Sequence, residues 1–177
     1  LALKEIINMR KIKNAPIDLY GAKKLPEKNI SKKVFRYQVL ISVLLSSQTK
    51  DIETAKAMNK LKKHGLTINN ILNTSNKKIN ELINNVGFHN RKTIYIKKTT
   101  KILKEKYNND IPKTCKEILL LSGIGPKMCM LIMQIAWNKN MGISVDTHVH
   151  RVSNRLGWVN TKKPTNTQKD LEDLIPE

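Results

Sequence analysis

The chain of 177 residues is 40% hydrophobic, which is enough to bury one or two hydrophobic cores. It has no apolar run of the ~18 residues that a membrane span needs, and no signal peptide is visible. Thirty-three lysines and arginines against fourteen acidic residues give a net charge of +19. Such an excess suits a polyanionic partner, because each neutralised phosphate releases counterions. Compositional drift, in a chain rich in lysine, asparagine and isoleucine, is the alternative explanation.

The first half of the chain predicts helices joined by connectors. In order, the patterns indicate an amphipathic helix, a connector with proline and glycine, an almost wholly apolar helix, a small polar loop and an amphipathic helix: 1–13, 14–31, 34–45, 46–51 and 52–64. A helix that is apolar all round is a buried one, so we expect 34–45 to lie in the core. A pair of strands is the alternative, although this segment is long for one strand. Gly65 is expected to end the following helix in a left-handed conformation.

The second half continues the helical pattern. The predicted elements are a helix that Gly87 closes, a loop with one large apolar side chain, a long helix, a short helix, a helix after a glycine-rich turn, a helix after an aspartate and a last amphipathic turn or two: 79–86, 88–92, 94–107, 114–121, 126–136, 146–157 and 167–175. The helix after the turn is expected to bury five side chains: Met128, Leu131, Ile132, Ile135 and Ala136. No segment alternates convincingly with a period of two. We therefore predict an all-α protein of about ten helices.

The cysteine and histidine spacings do not predict a metal site. Cys115 and Cys129 each lie in an apolar helical pattern, and neither has metal-ligand spacing to another cysteine. Buried free thiols are common in reduced compartments, so two such thiols are expected. His148 and His150 lie two residues apart, but two histidines alone do not form a metal site, and Arg151 beside them argues against one.

A turn of Ser122-Gly123-Ile124-Gly125 separates two of the predicted helices. Its glycines lack Cβ atoms, so the backbone of another chain can approach closely, while Ile124 can plug the space between the helices. The amides at Gly125 and beyond are unpaired at a helix N-terminus and carry partial positive charge. A phosphate fits such a site. The alternative is an ordinary helix–helix connection with a glycine stop.

Lys127 and Asp146 are the candidate chemical groups. Lys127 lies in the first turn of the helix that Pro126 begins, where a cation is disfavoured. A neutral amine there could attack an electrophilic carbon and form a Schiff base. Asp146 could deprotonate a nucleophile or support a developing positive charge. The alternatives are a solvated lysine in a lysine-rich chain and an aspartate that only caps a helix.

Gln48 and Phe88 are a polar and an apolar loop tip. Each could fill the gap that a displaced base leaves in a nucleic-acid stack. Taken singly, such residues are usually ordinary surface residues, so their positions alone leave both readings open.

Together, these ordered motifs resemble the endonuclease III family in its eukaryotic form, over residues 34 to about 176. Four segments carry the resemblance: LLSSQTKD at 44–51, VGF at 86–88, LSGIGPK at 121–127 and VDTHVHR at 145–151. The resemblance implies an all-α, two-domain helix-hairpin-helix fold with DNA in the cleft between the domains. Residues 34–136 would form a six-helix barrel domain that contains the hairpin, and 1–33 plus 137–177 would form the second helical domain.

The resemblance also implies a DNA glycosylase with AP-lyase activity, which removes oxidised pyrimidines in base excision repair. Lys127 would be the Schiff-base nucleophile and Asp146 the catalytic carboxylate. Relatives that excise adenine or alkylated bases share the hairpin but lack the lysine. The residues expected to contact DNA are Gln48, Thr49, Phe88, Gly123, Gly125, Pro126, His148 and Arg151. A non-catalytic helix-hairpin-helix DNA-binding module and a monofunctional glycosylase are the alternative functions.

The expected partner is double-stranded DNA with damaged bases or abasic sites, bound by a monomer without a membrane partner. The resemblance places such a protein in the nucleus, the mitochondrion or another organelle. The family usually carries four cysteines near the C-terminus that bind a [4Fe-4S] cluster, and Cys115 and Cys129 do not match them. No metal or cofactor is therefore expected on the residues of this chain. The sequence looks trimmed at both ends, so the cluster is expected only if the full-length protein has those cysteines.

Overall fold

The computed structural model describes residues 2–13 and 15–174. Over these residues the regular structure consists of eleven α-helices: α1 (Ala2–Arg10), α2 (Pro16–Tyr20), α3 (Lys32–Ser46), α4 (Asp51–His64), α5 (Ile68–Asn73), α6 (Asn76–Leu82), α7 (His89–Lys106), α8 (Cys115–Ile118), α9 (Pro126–Trp137), α10 (Thr147–Arg155) and α11 (Pro164–Leu174). No residue in the described ranges lies in a strand. The prediction of an all-α protein is confirmed.

The chain divides into two compact units. One comprises Asn14–Lys139 and therefore contains α2 to α9; the other comprises Leu1–Lys13 and Asn140–Glu177, with α1, α10 and α11. The larger unit includes residues 14–33 and 137–139, which the sequence had assigned to the second domain. The predicted role of 34–136 as a six-helix barrel domain stays a prediction.

Helix α3 forms the centre of the larger unit's core. Ser31 caps it by accepting a hydrogen bond from the backbone N–H of Val34 at 3.3 Å. Every residue from 37 to 45 is buried, and a fully buried aliphatic side chain stabilises the fold by about 1.5–3 kcal/mol. Helices α4, α7 and α9 pack against α3. The prediction that 34–45 is a buried helix is confirmed.

A charged and aromatic cluster ties α3 and α9 to the loop before α8. Arg36 donates to both carboxylate oxygens of Asp110, at 2.8 and 2.5 Å. Its guanidinium lies 4.3 Å from the ring centroid of Trp137, a cation–π contact. The indole N–H of Trp137 donates to the carbonyl of Pro112 at 2.8 Å. Burial raises the pKa of Asp110, but the hydrogen bonds from Arg36 and from a backbone amide outweigh this and hold it below its usual value.

Helices α10 and α11 of the smaller unit are joined by a polar network. The Nδ1 atom of His150 lies 2.6 Å from the hydroxyl of Thr167. Asn154 donates to the carbonyl of His150 and accepts from the amide of Thr161. The threonine hydroxyls of Thr161 and Thr167 contact each other. These hydrogen bonds fix the position of α10 against α11, including the first turn of α10.

Several predicted boundaries are wrong. Residues 89–92 were expected in a loop but form the first turn of α7. The start of this helix could not be recognised in the sequence, because its N-cap residue, Phe88, has no side chain that can accept a capping hydrogen bond. Helix α6 ends at Leu82, since Ile83 has left the helical conformation, rather than running to Gly87. By contrast, Gly65 ends α4 with a φ of 99°, as predicted.

Two expectations about buried side chains are also corrected. Helix α9 buries Cys129, Ile132 and Met133, because this stripe faces the core, and the other predicted residues pack only partly buried beside it. Cys115 and Cys129 are joined as a disulfide between α8 and α9. The expectation of two free thiols is therefore wrong.

Candidate functional site

The hairpin formed by α8, the turn after it and α9 is the first part of the site. Thr114 caps α8 by accepting from the amide of Glu117 at 3.3 Å, and its hydroxyl donates to the Glu117 carboxylate at 2.6 Å. The Thr114 side chain therefore acts as the N-cap of α8. Ile124 is 8% exposed and belongs to the hydrophobic core. The apolar plug in the turn therefore holds the two helices together.

The two glycines of this turn do different things. Gly123 has a φ of 82°, and a Cβ there would lie 2.4 Å from Cδ2 of Tyr95. The position thus requires glycine twice, for its left-handed backbone and for the ring that lies against it. Gly125 is the N-cap of α9 with an extended backbone, and a Cβ there would meet nothing within 4 Å. Glycine suits this N-cap position, and the lack of a side chain also leaves the backbone at 125 open to a close approach from outside.

Lys127 follows this turn directly. Pro126 occupies the first position of α9, where its missing N–H costs no helical hydrogen bond. Lys127 is the next residue and its side chain is exposed. The exposed side chain of Lys127 therefore lies beside the N-terminus of a helix, which carries partial positive charge.

Asp146 is the N-cap of α10 in the smaller unit. Its Oδ1 atom accepts from the amides of His148 at 2.9 Å and Val149 at 2.8 Å. Asp146 therefore caps α10, which is one of the two interpretations that the sequence allowed. The two amides hold its carboxylate in a defined orientation. A guanidinium N–H of Arg151 lies 3.4 Å from Nδ1 of His148, one turn apart on the exposed face of α10.

Gln48 and Phe88 both have left-handed backbones, with φ values of 49° and 58°. Neither residue type adopts this conformation readily, and the cost is of the order of 1–3 kcal/mol for each. Gln48 is exposed, and Phe88 is 59% exposed. Thr49, beside Gln48, donates its hydroxyl to the carbonyl of Ser47 at 3.2 Å. Both exposed side chains therefore project from backbones that the surrounding structure must hold in place.

One cavity of about 360 Å³ in the larger unit brings three of the predicted DNA-contacting residues together. Gln48, Phe88 and Gly123 all line it. Gln48 and Gly123 lie 75 positions apart in the sequence, and the packing of α3, α7 and the hairpin brings them together. The remaining lining side chains are Leu44, Ser47, Arg91, Lys92 and Tyr95.

Sequence reasoning missed Lys92 and Tyr95. Lys92 is 4% exposed, and its burial lowers its pKa to about 8. A signal was present, because Lys92 falls four residues before Ile96 and eleven before Leu103, on the buried stripe of α7. A lysine on such a stripe needs internal acceptors. The assignment of 88–92 to a loop concealed this.

The cysteines do not fit an iron–sulfur cluster. A [4Fe-4S] cluster is held by four thiolates, whereas the chain has two cysteines and these are bonded to each other. No group of three or more histidine, cysteine or acidic residues within the described part of the chain could hold a metal ion. Among the same residues, no helix is long and apolar enough to cross a membrane.

Comparison with known proteins gives consistent similarities. The model of the family described as "HhH-GPD superfamily base excision DNA repair protein" matches residues 41–177. The Endonuclease III-like protein 1 of Gallus gallus is 48% identical over 176 residues, which cover 98% of this chain and 63% of that protein. The Endonuclease III homolog of Encephalitozoon cuniculi is 43% identical over 185 residues, which cover 97% of this chain and 76% of that protein.

A solved structure is similar over almost the whole chain. An endonuclease III in a non-covalent complex with DNA matches with a TM-score of 0.80 and 27% identity, covering 99% of this chain and 75% of that chain. The chain spans about half to three fifths of the length of its vertebrate and fission-yeast relatives.

Proposed function

We propose, on the premise that the chain belongs to the HhH-GPD superfamily of base excision DNA repair proteins and within it to the endonuclease III family, that it excises damaged bases from DNA and then cuts the strand. The family membership confirms the resemblance drawn from the sequence motifs. The proposed substrates are oxidised pyrimidines in double-stranded DNA and abasic sites, and the reaction is N-glycosylase followed by AP lyase.

Phosphate binding is assigned to the hairpin. The extended backbone at Gly125 leaves room for a phosphate beside the first amides of α9, which carry partial positive charge. Arg151 and His148, on the exposed face of α10, are proposed to contact the same kind of backbone. These contacts position the duplex but do not select a base.

Gln48 and Phe88 are assigned to the gap in the duplex. The damaged nucleotide must leave the stack before a protein side chain can reach its C1′ atom, at a cost of a few kcal/mol. Side chains on exposed, fixed loop tips can occupy the vacated space and stabilise the extruded state. Thr49, the chain neighbour of Gln48, is proposed to contact the DNA beside this gap.

Lys127 is assigned as the nucleophile. Its amine attacks C1′, the glycosidic bond breaks, and the base leaves with the bonding electron pair, while Asp146 supports the positive charge that develops on the sugar. The departing base takes a proton from water. The proton that the attacking amine releases passes to O4′ as the C1′–O4′ bond breaks, so the sugar opens to a protonated Schiff base between Lys127 and C1′, which makes a proton on C2′ acidic. Loss of that proton breaks the C3′–O bond, so the strand is cut 3′ to the lesion.

The observation that carries this proposal is the exposed amine of Lys127 in the first turn of α9, directly after a turn whose Gly125 is open to an incoming backbone. A binding module would need the open turn but not the amine. A monofunctional glycosylase would activate water and would need no lysine there.

Borohydride trapping on a duplex with one abasic site tests the proposal. Wild-type protein should form a covalent protein–DNA adduct in the presence of borohydride, and without it should cut the strand on a gel run without heat or alkali. Lys127→Ala should do neither. Lys77→Ala is the matched control, because Lys77 is also exposed at the second position of a helix, α6, and this variant should behave as wild type.

The alternative functions give different results in the same assay. DNA binding with a salt-dependent affinity but no cleavage and no adduct would identify a binding module. Release of a damaged base that leaves the abasic strand intact would identify a monofunctional glycosylase. An adduct of equal yield with Lys127→Ala would assign the chemistry to another amine.

A DNA substrate supports a location in the nucleus, the mitochondrion or another organelle, and we propose that the protein acts there as a monomer. A [4Fe-4S] cluster, as expected from the family, would need cysteines other than Cys115 and Cys129, which are bonded to each other.

A further inference from the structure

Lys92 is a buried lysine that the proposed reaction does not use. Its side chain is 4% exposed, and its ammonium donates to three acceptors. These are the carbonyl of Leu45 at 2.7 Å, the carbonyl of Ser47 at 2.6 Å and the hydroxyl of Thr49 at 3.1 Å. An ammonium has three N–H donors, so all of them are used. Burial lowers the pKa of Lys92 to about 8, which leaves most of it charged near neutral pH.

The acceptors bracket Gln48 on both sides. Ser47 and Thr49 are its chain neighbours, and Leu45 lies in the last turn of α3. Gln48 itself has a φ of 49°, a conformation that persists only when the surroundings determine it. The bonds from Lys92 to both neighbours supply that determination, because they hold the backbone carbonyl of the residue before Gln48 and the side-chain hydroxyl of the residue after it.

The same lysine belongs to the turn that begins at Phe88. Its backbone N–H donates to the carbonyl of Phe88 at 3.0 Å. The residue before Phe88 is Gly87, where a Cβ would lie 2.7 Å from the carbonyl oxygen of Gln48. The loop that carries Phe88 therefore packs directly on the loop that carries Gln48, and Lys92 is bonded to both.

We propose that Lys92 is a positioning residue that holds Gln48 and Phe88 as a rigid pair, so that both side chains enter a duplex together when a base is expelled. The inference rests on the proposed function and deepens it. Lys92 contacts no reacting atom in this assignment. Lys92 affects only the step in which a stacked base leaves the DNA duplex, because that step needs the side chains of Gln48 and Phe88 in place at the same time.

Lys97 provides a matched control on the same helix. Its ammonium also donates to three acceptors, the carbonyls of Ile71 at 3.1 Å, Leu72 at 2.7 Å and Thr74 at 2.8 Å. It therefore makes the same kind of bonds at the end of α5 rather than at Gln48. Loss of either lysine should destabilise the fold in a comparable way, but only loss of Lys92 should disturb the two loop tips.

The experiment compares two substrates under single-turnover conditions with Lys92→Met, Lys97→Met and wild type. One duplex carries a thymine glycol, which must be expelled from the stack, and the other carries a preformed abasic site, which is extruded at little cost. For Lys92→Met, base release should fall about tenfold or more while cleavage of the abasic strand falls less than about twofold. Lys97→Met should leave the ratio of the two rates unchanged.

A second variant guards against a Lys92→Met protein that does not fold. Gly87→Ala keeps the lysine but pushes against the carbonyl of Gln48, so it should produce the same selective loss of base release. Equal losses on both substrates for Lys92→Met, or no loss in either variant, would overturn the positioning role. Wild-type protein that cuts neither substrate would instead overturn the proposed function.

Discussion

Two neighbouring regions of the larger unit differ in how their backbones are held: one is fixed by internal hydrogen bonds, and the other is open on its outer side. The loop segments 47–49 and 87–88, which we term the anchored loops, hold two strained residues in place through hydrogen bonds from the ammonium and the backbone N–H of the buried Lys92. The turn at 122–125 is shaped by Tyr95 and Ile124 on its inner side and left open at Gly125 on its outer side. Rigid tips suit side chains that must enter a duplex, whereas an open backbone suits a phosphate that must approach closely. Variants of the anchored loops should therefore impair base expulsion, whereas variants at Gly125 should impair phosphate binding. Effects on function and on stability should likewise separate at Asp146 and Asp110.

Asp146 tests the functional side of this comparison with the largest expected effect. Asp146→Asn keeps a residue that caps a helix well, so the hydrogen bonds to His148 and Val149 survive while the charge is lost. Strand cleavage should fall about 100- to 1000-fold with the melting temperature nearly unchanged. Asp170→Asn, an exposed aspartate on α11, removes the same charge without touching the helix start. If the loss of cleavage is no larger than a lowered melting temperature explains, Asp146 serves only as the N-cap of α10.

Asp110 tests the structural side. Asp110→Asn removes one partner of a largely buried ion pair with Arg36, which should cost about 3 kcal/mol of unfolding free energy at pH 7. Urea unfolding measures this. Glu105→Gln, which breaks an exposed pair at 3.8 Å, should cost less than about 1 kcal/mol. Cleavage rates of the folded fraction should be unaffected in both, because neither residue lies in the proposed site.

The pH dependence of the Asp110 effect has a defined sign. The Arg36 hydrogen bonds hold the pKa of Asp110 below its usual value, so the ion pair stabilises the fold above the unfolded-state pKa near 3.9. This contribution is lost as the pH falls through the lower folded-state pKa. The stability difference between wild type and Asp110→Asn should therefore shrink below about pH 4. A difference that is constant from pH 7 to pH 3 would contradict the assignment.

Local patterns predicted the elements whose causes are local. The buried helix α3 follows from an apolar segment, and the end of α4 follows from Gly65. Contacts between distant residues could not be read in this way. The acceptors of Lys92 lie more than 40 positions earlier in the chain, and the aspartate that pairs with Arg36 lies 74 positions later.

The candidate site divides along the same line. Lys127 and Gly125 could be assigned from one contiguous motif, because a helix start presents its residues in sequence order. The cavity that unites Gln48, Phe88 and Gly123 could not, because it depends on how α3, α7 and the hairpin pack. Tyr95 was invisible for the same reason, since its role is a contact with Gly123.

Gly123 should behave as a structural glycine, although it lies in the proposed phosphate-binding turn. Gly123→Ala introduces a Cβ 2.4 Å from the ring of Tyr95 at a φ of 82°, which should cost about 2 kcal/mol of unfolding free energy. Thermal unfolding measures this. Combining it with Tyr95→Leu should recover part of the loss, because the flat ring is then absent. A double variant no more stable than Gly123→Ala would place the strain in the backbone alone.

Gly125 should show the opposite pattern within the same turn. A Cβ at 125 meets nothing inside the protein and the backbone is extended, so Gly125→Ala should cost less than about 1 kcal/mol of unfolding free energy, the preference for glycine over alanine at an N-cap. If a phosphate approaches this backbone, the added methyl group stands between them, and the dissociation constant for an abasic duplex should rise about tenfold, or about 1.4 kcal/mol. Fluorescence anisotropy at fixed salt measures the affinity. Unchanged affinity with unchanged stability would mean that the turn is only a helix connection, and the phosphate site would then have to be sought elsewhere on the larger unit.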